Sequence, residues 1–281
     1  MTKKKKKGFT LIELLIVIAI IGVLATVVVI ALAQSAKEKA RIAAGQQLAD
    51  SMRAAMEEKV YGETITGSWL KFNNNVDDSW GGYNGATISG AVNYLPNGGI
   101  NNGGTYSFSS GGGYINLDGL NFHSNGSSWT FSAWVKTSST GSVFSQGRNS
   151  TVPFLIFRIV GGGTFNVSLM GNSWVSKSNI TSVASVNNGN WNHIAVVTDA
   201  GANTIKIYIN GELDGTSGYD PTGVSTFTQG AIAAFRRTNG LSTSSFTGEI
   251  DEVQLLNATT TAYQIQQYYT ESAPKHRMTL K

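Results

Sequence analysis

The order of apolar and polar residues divides the chain into three regions with different periods. From Leu14 to Ala33 twenty residues carry no charge. As a helix this run is about 30 Å long, the thickness of a bilayer's hydrocarbon core. Next, Ile42, Gly45, Leu48, Ala49, Met52, Ala55, Met56 and Val60 recur at three- and four-residue spacing, with Lys39, Gln46, Asp50, Arg53 and Glu57 on the opposite side. That pattern predicts an amphipathic helix continuing the apolar one and stopping near Tyr61-Gly62. Beyond residue 63, runs such as TFSAWVKT, WNHIAVVTD and TIKIYING alternate apolar and polar residues between Gly, Asn and Asp. Period two with such punctuation predicts antiparallel strands, and Asn210-Gly211 predicts a two-residue hairpin turn.

The flanks of the apolar run sharpen this reading. Lys3 to Lys7 form five consecutive positive charges before it, which the positive-inside rule keeps cytoplasmic, so the bulk of the chain is expected across the membrane. No small-residue signal-peptidase site follows the run, so the segment is expected to stay. Glu13 stands at its edge, where a carboxylate costs up to roughly 3 kcal/mol at the bilayer centre and needs a cationic partner.

Gly8, Phe9, Thr10, Leu11, Ile12 and Glu13 with the apolar helix after them resemble the prepilins of type IV pili and the pseudopilins of type II secretion. The resemblance implies a leader at 1–8, cut between Gly8 and Phe9 by a prepilin peptidase, and a methylated new N-terminus. It implies that Glu13 pairs with the N-terminal amine of a subunit, that of Phe9, during fibre assembly. The helix would then cover 9–62, with its membrane span at about 14–33. Many family members carry proline where Ile30 stands here, so melting of this helix on assembly is not implied.

The strand-like region resembles, in order, the laminin-G-like branch of the concanavalin A-like lectin/glucanase superfamily. The matching segments are Trp69 to Phe72 with Asp78 to Gly85, then Trp129 to Val135, Trp191 to Val196, Ile207 to Gly211 and Phe246 to Val253. The whole chain is thus expected to be α+β, a long N-terminal α-helix followed by a jelly-roll β-sandwich over 63–272 and an unstructured tail over 273–281. Trp134, Val135, Ile194, Val196, Ile207 and Ile209 are its expected core.

Composition narrows the chemistry. The formal charge of +4 over 281 residues comes from the leader. Without Lys3 to Lys7, 16 basic residues face 17 acidic ones, a charge of about −1, and no nucleic-acid partner is expected. There is no cysteine, hence neither disulfide nor thiolate metal site. Glu249-Ile250-Asp251 resembles the start of the Glu-x-Asp-x-Glu strand of the superfamily's glucanases. The second glutamate would be needed at 253, or at 254 with a bulge, and these positions hold Val253 and Gln254. Without that pair the two-carboxylate mechanism has no acid, so no enzyme is expected.

The same resemblance implies that Asp78 and Asp251 hold a structural Ca²⁺ with backbone carbonyls. The alternative is that both acids cap turns, with Asp77 a competing ligand. His193 is expected to be buried and hydrogen-bonded, and the glycine runs at 111–113 and 161–163 to be hairpin ends. Trp80, Tyr83, Trp174 and Tyr219 lie in polar loops where aromatic rings could stack on sugars. The expected function is a structural subunit of a type IV pilus-like surface fibre displaying a lectin-like domain for adhesion. A type II secretion pseudopilin is the alternative in the same machinery, and a membrane-anchored, non-polymerising glycan-binding or glycan-cleaving protein the alternative outside it.

Overall fold

A computed structural model describes residues 67–273, except 81–82, 84, 101–102, 111, 121, 123–125, 149–151, 238–239 and 243–244, together with Leu11 and Ile18. The chain falls into two compact units, Met1–Lys59 and Val60–Lys281. In the first, Leu11 and Ile18 are helical and exposed. Gly8, Phe9, Glu13 and the rest of the expected helix lie outside the described residues, as does the expected tail after Ala273.

The second unit is an antiparallel sandwich. Its strands are β1 (Gly67–Leu70), β2 (Thr87–Ser89), β3 (Val92–Leu95), β4 (Thr105–Phe108), β5 (Tyr114–Asn116), β6 (Thr130–Lys136), β7 (Gly141–Gly147), β8 (Phe154–Ile159) and β9 (Thr164–Met170). They continue with β10 (Ser176–Ser185), β11 (Trp191–Asp199), β12 (Thr204–Ile209), β13 (Glu212–Gly218), β14 (Gln229–Ile232), β15 (Phe235–Arg237), β16 (Gly240–Ser242) and β17 (Gly248–Leu256). One sheet runs β13-β12-β11-β6-β17-β4-β3, with β1 also on β17, and the other runs β10-β9-β8-β7-β14-β5-β2. β15 and β16 form a separate two-stranded antiparallel sheet.

Alternation along the strands builds the core between the sheets. Phe131 of β6 meets Phe144 of β7 and Phe157 of β8 at ring-centroid distances of 5.2 and 4.5 Å, all three fully buried. Each such ring contributes roughly 1.5–3 kcal/mol by burial. Val135, Ile194, Val196, Ile207 and Ile209 join this core as expected. At the edges, Asp214 of β13 accepts the N–H groups of Val183 (2.5 Å) and Ala184 (3.0 Å) on β10. A side chain thereby occupies edge donors that another strand could otherwise pair with.

Trp134 is buried, but on the opposite face. It stacks on Tyr269 of a C-terminal helix, α1 (Ala262–Ser272), at 5.7 Å and 23°. Ile265 of α1 forms a second apolar cluster with Ala195, Val197 and Tyr208. Sequence periodicity missed this helix, whose signal is the Thr261-x-x-Gln264 capping box. The Asn210-Gly211 turn forms as expected, with φ of 51° and 83°. A Cβ on Gly211 would also meet the Tyr269 ring at 2.8 Å, so glycine serves both the turn and the helix contact.

Candidate functional site

The acids singled out from sequence cluster around an interruption in β17. β4 pairs with Gly248–Ile250 and β1 with Val253–Leu256, which leaves Asp251 and Glu252 between them. On the other flank Asp251 faces Trp134 and Gln254 faces Ser132, so β17 carries one extra residue, a β-bulge. Glu252 takes a left-handed φ of 51° there. The bulge makes 254, not 253, the position that continues the face of Glu249 and Asp251. That position is glutamine, within 3.4 Å of Ser132 Oγ, while Val253 is core. Glu249 is paired with Lys136 at 2.9 Å.

Asp251 is 1% exposed. Its Oδ2 accepts from Ile100 N–H (2.7 Å) and its Oδ1 from Glu252 N–H (2.9 Å). Burial first, then the negative charge of Glu252, pushes its carboxyl up to about 8. Asp78 is engaged elsewhere. Its Oδ1 accepts from Trp69 N–H (2.8 Å) and Trp80 N–H (3.0 Å), and its Oδ2 from Tyr83 N–H (2.9 Å). Three of about four lone-pair sites are therefore used in tying Trp80 and Tyr83 to β1 through Asp78. Trp69 links this loop to the bulge, because its indole Nε1 donates to Glu252 Oε2 at 2.5 Å.

Gly99 packs close against both Asp251 and Gly104. A Cβ at Gly99 would lie 2.6 Å from Asp251 Oδ2 and would collide with the Gly104 carbonyl oxygen. A Cβ at Gly103 would collide with the Asn73 side-chain amide oxygen. Among the described residues no three His, Asp or Glu side chains gather as a metal cluster. Among the described residues no ion pair engages Asp251, and its oxygens with the nearby Gly104 carbonyl are the hard donors that a cation such as Ca²⁺ would take there.

The four loop aromatics separate by environment. Tyr219 is core: its hydroxyl donates to the Ser127 carbonyl (2.9 Å), accepts from Trp129 Nε1 (3.2 Å), and is raised to about 12 by burial. Tyr83 donates to the Asp118 carbonyl (2.8 Å), and Trp80 leans on Trp69 at 5.6 Å. Trp174 is the most exposed, at 56%. It and Ser173 both hold left-handed φ, 62° and 61°, at a cost of about 1–3 kcal/mol each. The loop is braced by Gly171 N–H to the Val175 carbonyl (2.8 Å) and Asn172 N–H to the Gly223 carbonyl (3.0 Å). Lys177 and Asp220, paired at 2.6 Å, line a shallow cavity of about 460 Å³ nearby with Asn203, Gly218 and Tyr219.

His193 is fully buried, as expected, but its ring is not hydrogen-bonded among the described residues. Aromatic contacts hold it instead, with Trp134 and Tyr268 each at 5.4 Å and Tyr269 at 6.2 Å. Desolvation lowers it to about 3.

Fold comparison finds this sandwich in several solved structures. Domain 4 of AbnA, a GH43 extracellular arabinanase from Geobacillus stearothermophilus solved with arabinotriose, aligns with a TM-score of 0.58 at 22% identity, over 74% of this chain and 98% of that one. The binding domain of Paraclostridial Mosquitocidal Protein 1 aligns at 0.58 and 12% identity, over 73% of this chain. That of botulinum neurotoxin serotype G aligns at 0.55 and 16%, over 72%. The match spans about half the length of each toxin domain, 51% and 50%. No curated protein matches the sequence. Residues 3–29 match the prokaryotic N-terminal methylation motif, the type IV pilin signal. Since residues 109–266, more than half of its length, match the Laminin_G_3 family, the chain belongs to the concanavalin A-like lectin/glucanases superfamily, here fused to a pilin-type N-terminus.

Proposed function

We propose that this protein is a subunit of a type IV pilus-like surface fibre that displays a glycan-binding sandwich for adhesion. The observation that carries the reading is the joining in one chain of a methylation motif at 3–29 to a lectin-like domain. In this reading a prepilin peptidase cuts after Gly8. The helix holds the protein in the membrane with its bulk exported, and pilus machinery then extracts it into a fibre. Glu13 pairs with the amine of Phe9 in a neighbouring subunit, since an unpaired charge in an apolar bundle costs several kcal/mol.

The domain binds rather than cleaves. Glu249 is tied to Lys136, Asp251 is buried and bonded to the Ile100 N–H, and the position that would complete the catalytic strand is Gln254. The arabinotriose in the arabinanase domain and the binding role of the toxin domains support the same reading. Ca²⁺ is assigned a structural role at Asp251, with Asp78 adding at most its remaining lone pair. The test is Glu13→Val. Membrane insertion is expected to persist while sheared surface fibres disappear, and fibres in normal number would overturn the assembly reading.

A further inference from the structure

Strand register places a polar grid on the outer face of β8, β9 and β10. Arg158 stands opposite Asn166 and Asn166 opposite Thr181, while Ile156 stands opposite Ser168 and Ser168 opposite Asn179. The alternate positions, Phe157, Phe165, Val167, Leu169 and Ile180, fill the core, so the grid faces away from it. Asn166, only 5% exposed, organises the grid. Its Nδ2 donates toward Asn179 Oδ1 (2.9 Å), Thr181 Oγ1 (2.9 Å) and the Ile180 carbonyl (3.1 Å). Its Oδ1 accepts from Arg158 Nε at 3.0 Å.

That last bond sets the plane of an exposed guanidinium. Arg158 is held through Nε, and its Nη1 and Nη2 donate to none of the described residues. The two remaining donors form a fork matched to the two oxygens of a carboxylate. Much of the ordering of this long side chain is already done in the unbound protein, which lowers the cost of binding. Asp214, which reaches β10 from β13, is committed to the N–H groups of Val183 and Ala184. Beside the fork, Ser168, Asn179 and Thr181 offer hydroxyl and amide groups, a match for a polyhydroxylated partner rather than for peptide side chains.

We propose that this face binds a carboxylate-bearing saccharide, with Arg158 gripping the carboxylate and Ser168, Asn179 and Thr181 bonding neighbouring hydroxyls. The inference rests on the glycan-binding reading and adds the charge of the ligand. The full chain in detergent micelles is to be assayed against immobilised oligogalacturonate, its methyl ester, a panel of neutral oligosaccharides and an oligoglutamate peptide. The acid should be retained at least about tenfold more tightly than its ester. Arg158→Lys, which keeps the charge but not the fork, should erase most of that preference, and Arg158→Gln all of it, with circular dichroism showing the fold retained. Equal retention of acid and ester, or a preference that survives Arg158→Gln, overturns the inference and leaves glycan binding standing. Retention of oligoglutamate in place of the acidic sugar also overturns it. Retention of no saccharide at all overturns both.

Discussion

Trp69 and Glu252, 183 positions apart, are joined by an indole N–H to carboxylate hydrogen bond of 2.5 Å. Both are buried, and the bond ties the first strand of the sandwich to the bulge in its last. Asp78 reinforces the tie by taking the backbone N–H of the same tryptophan.

Removing this donor should be costly because it takes a hydrogen bond to a charged acceptor away from a buried acid. Trp69→Phe is expected to lower stability by about 2–3 kcal/mol, whereas Glu252→Gln, which keeps an acceptor oxygen, should cost less than half of that. Urea unfolding followed by circular dichroism measures both. Equal losses would mean that ring packing, not the bond, holds the two elements.

Calcium should act through the same bulge. The melting temperature is expected to fall in chelator and recover with added Ca²⁺, since binding to the folded state alone stabilises by about 2.7 kcal/mol at a hundredfold excess over Kd. Asp251→Asn should remove the response, and Asp78→Asn should weaken the fold with and without the ion. An identical melting curve in chelator and in Ca²⁺, for protein shown to be metal-free at the start, would leave Asp251 as a purely structural acid.

His193 makes stability depend on pH in a known direction. Its folded value of about 3 lies below the ordinary 6.5, so the unfolded chain takes up the proton first. The contribution is complete above pH 6.5 and is lost as pH falls from there toward 3. The surrounding rings, Trp134, Tyr268 and Tyr269, offer no charge to offset it; Asp251 stands beyond Trp134 in the register. From pH 7 to pH 5 the loss is about 2 kcal/mol. His193→Gln should flatten the acid side of the stability profile by that amount. An unchanged slope would show that the ring accepts its proton without moving α1.

The strands, the core and the Asn210-Gly211 turn were legible because period two and turn chemistry are local. The same local alternation predicts Trp134 in the core, yet it packs on the other face against Tyr269. Alternation tells which residues share a face, but not that α1 covers the second one. The bulge at Asp251–Glu252 was legible only as an alternative spacing, because it arises where β4 ends and β1 begins beside β17, a non-local event. Arg158 gave no signal, since a lone arginine in a strand acquires meaning only when register sets Asn166 beside it. Tyr219 and Trp174 look alike in sequence as loop aromatics, and burial alone separates them.

The most direct test of the pilin-like reading is the intact mass of the protein in sheared surface fibres. It should be lighter than the precursor by residues 1–8 and heavier by one methyl group, with fragmentation placing the methyl on the amine of Phe9. Fibre material that still carries residues 1–8, or protein found only in the membrane with an unmethylated N-terminus, would contradict it.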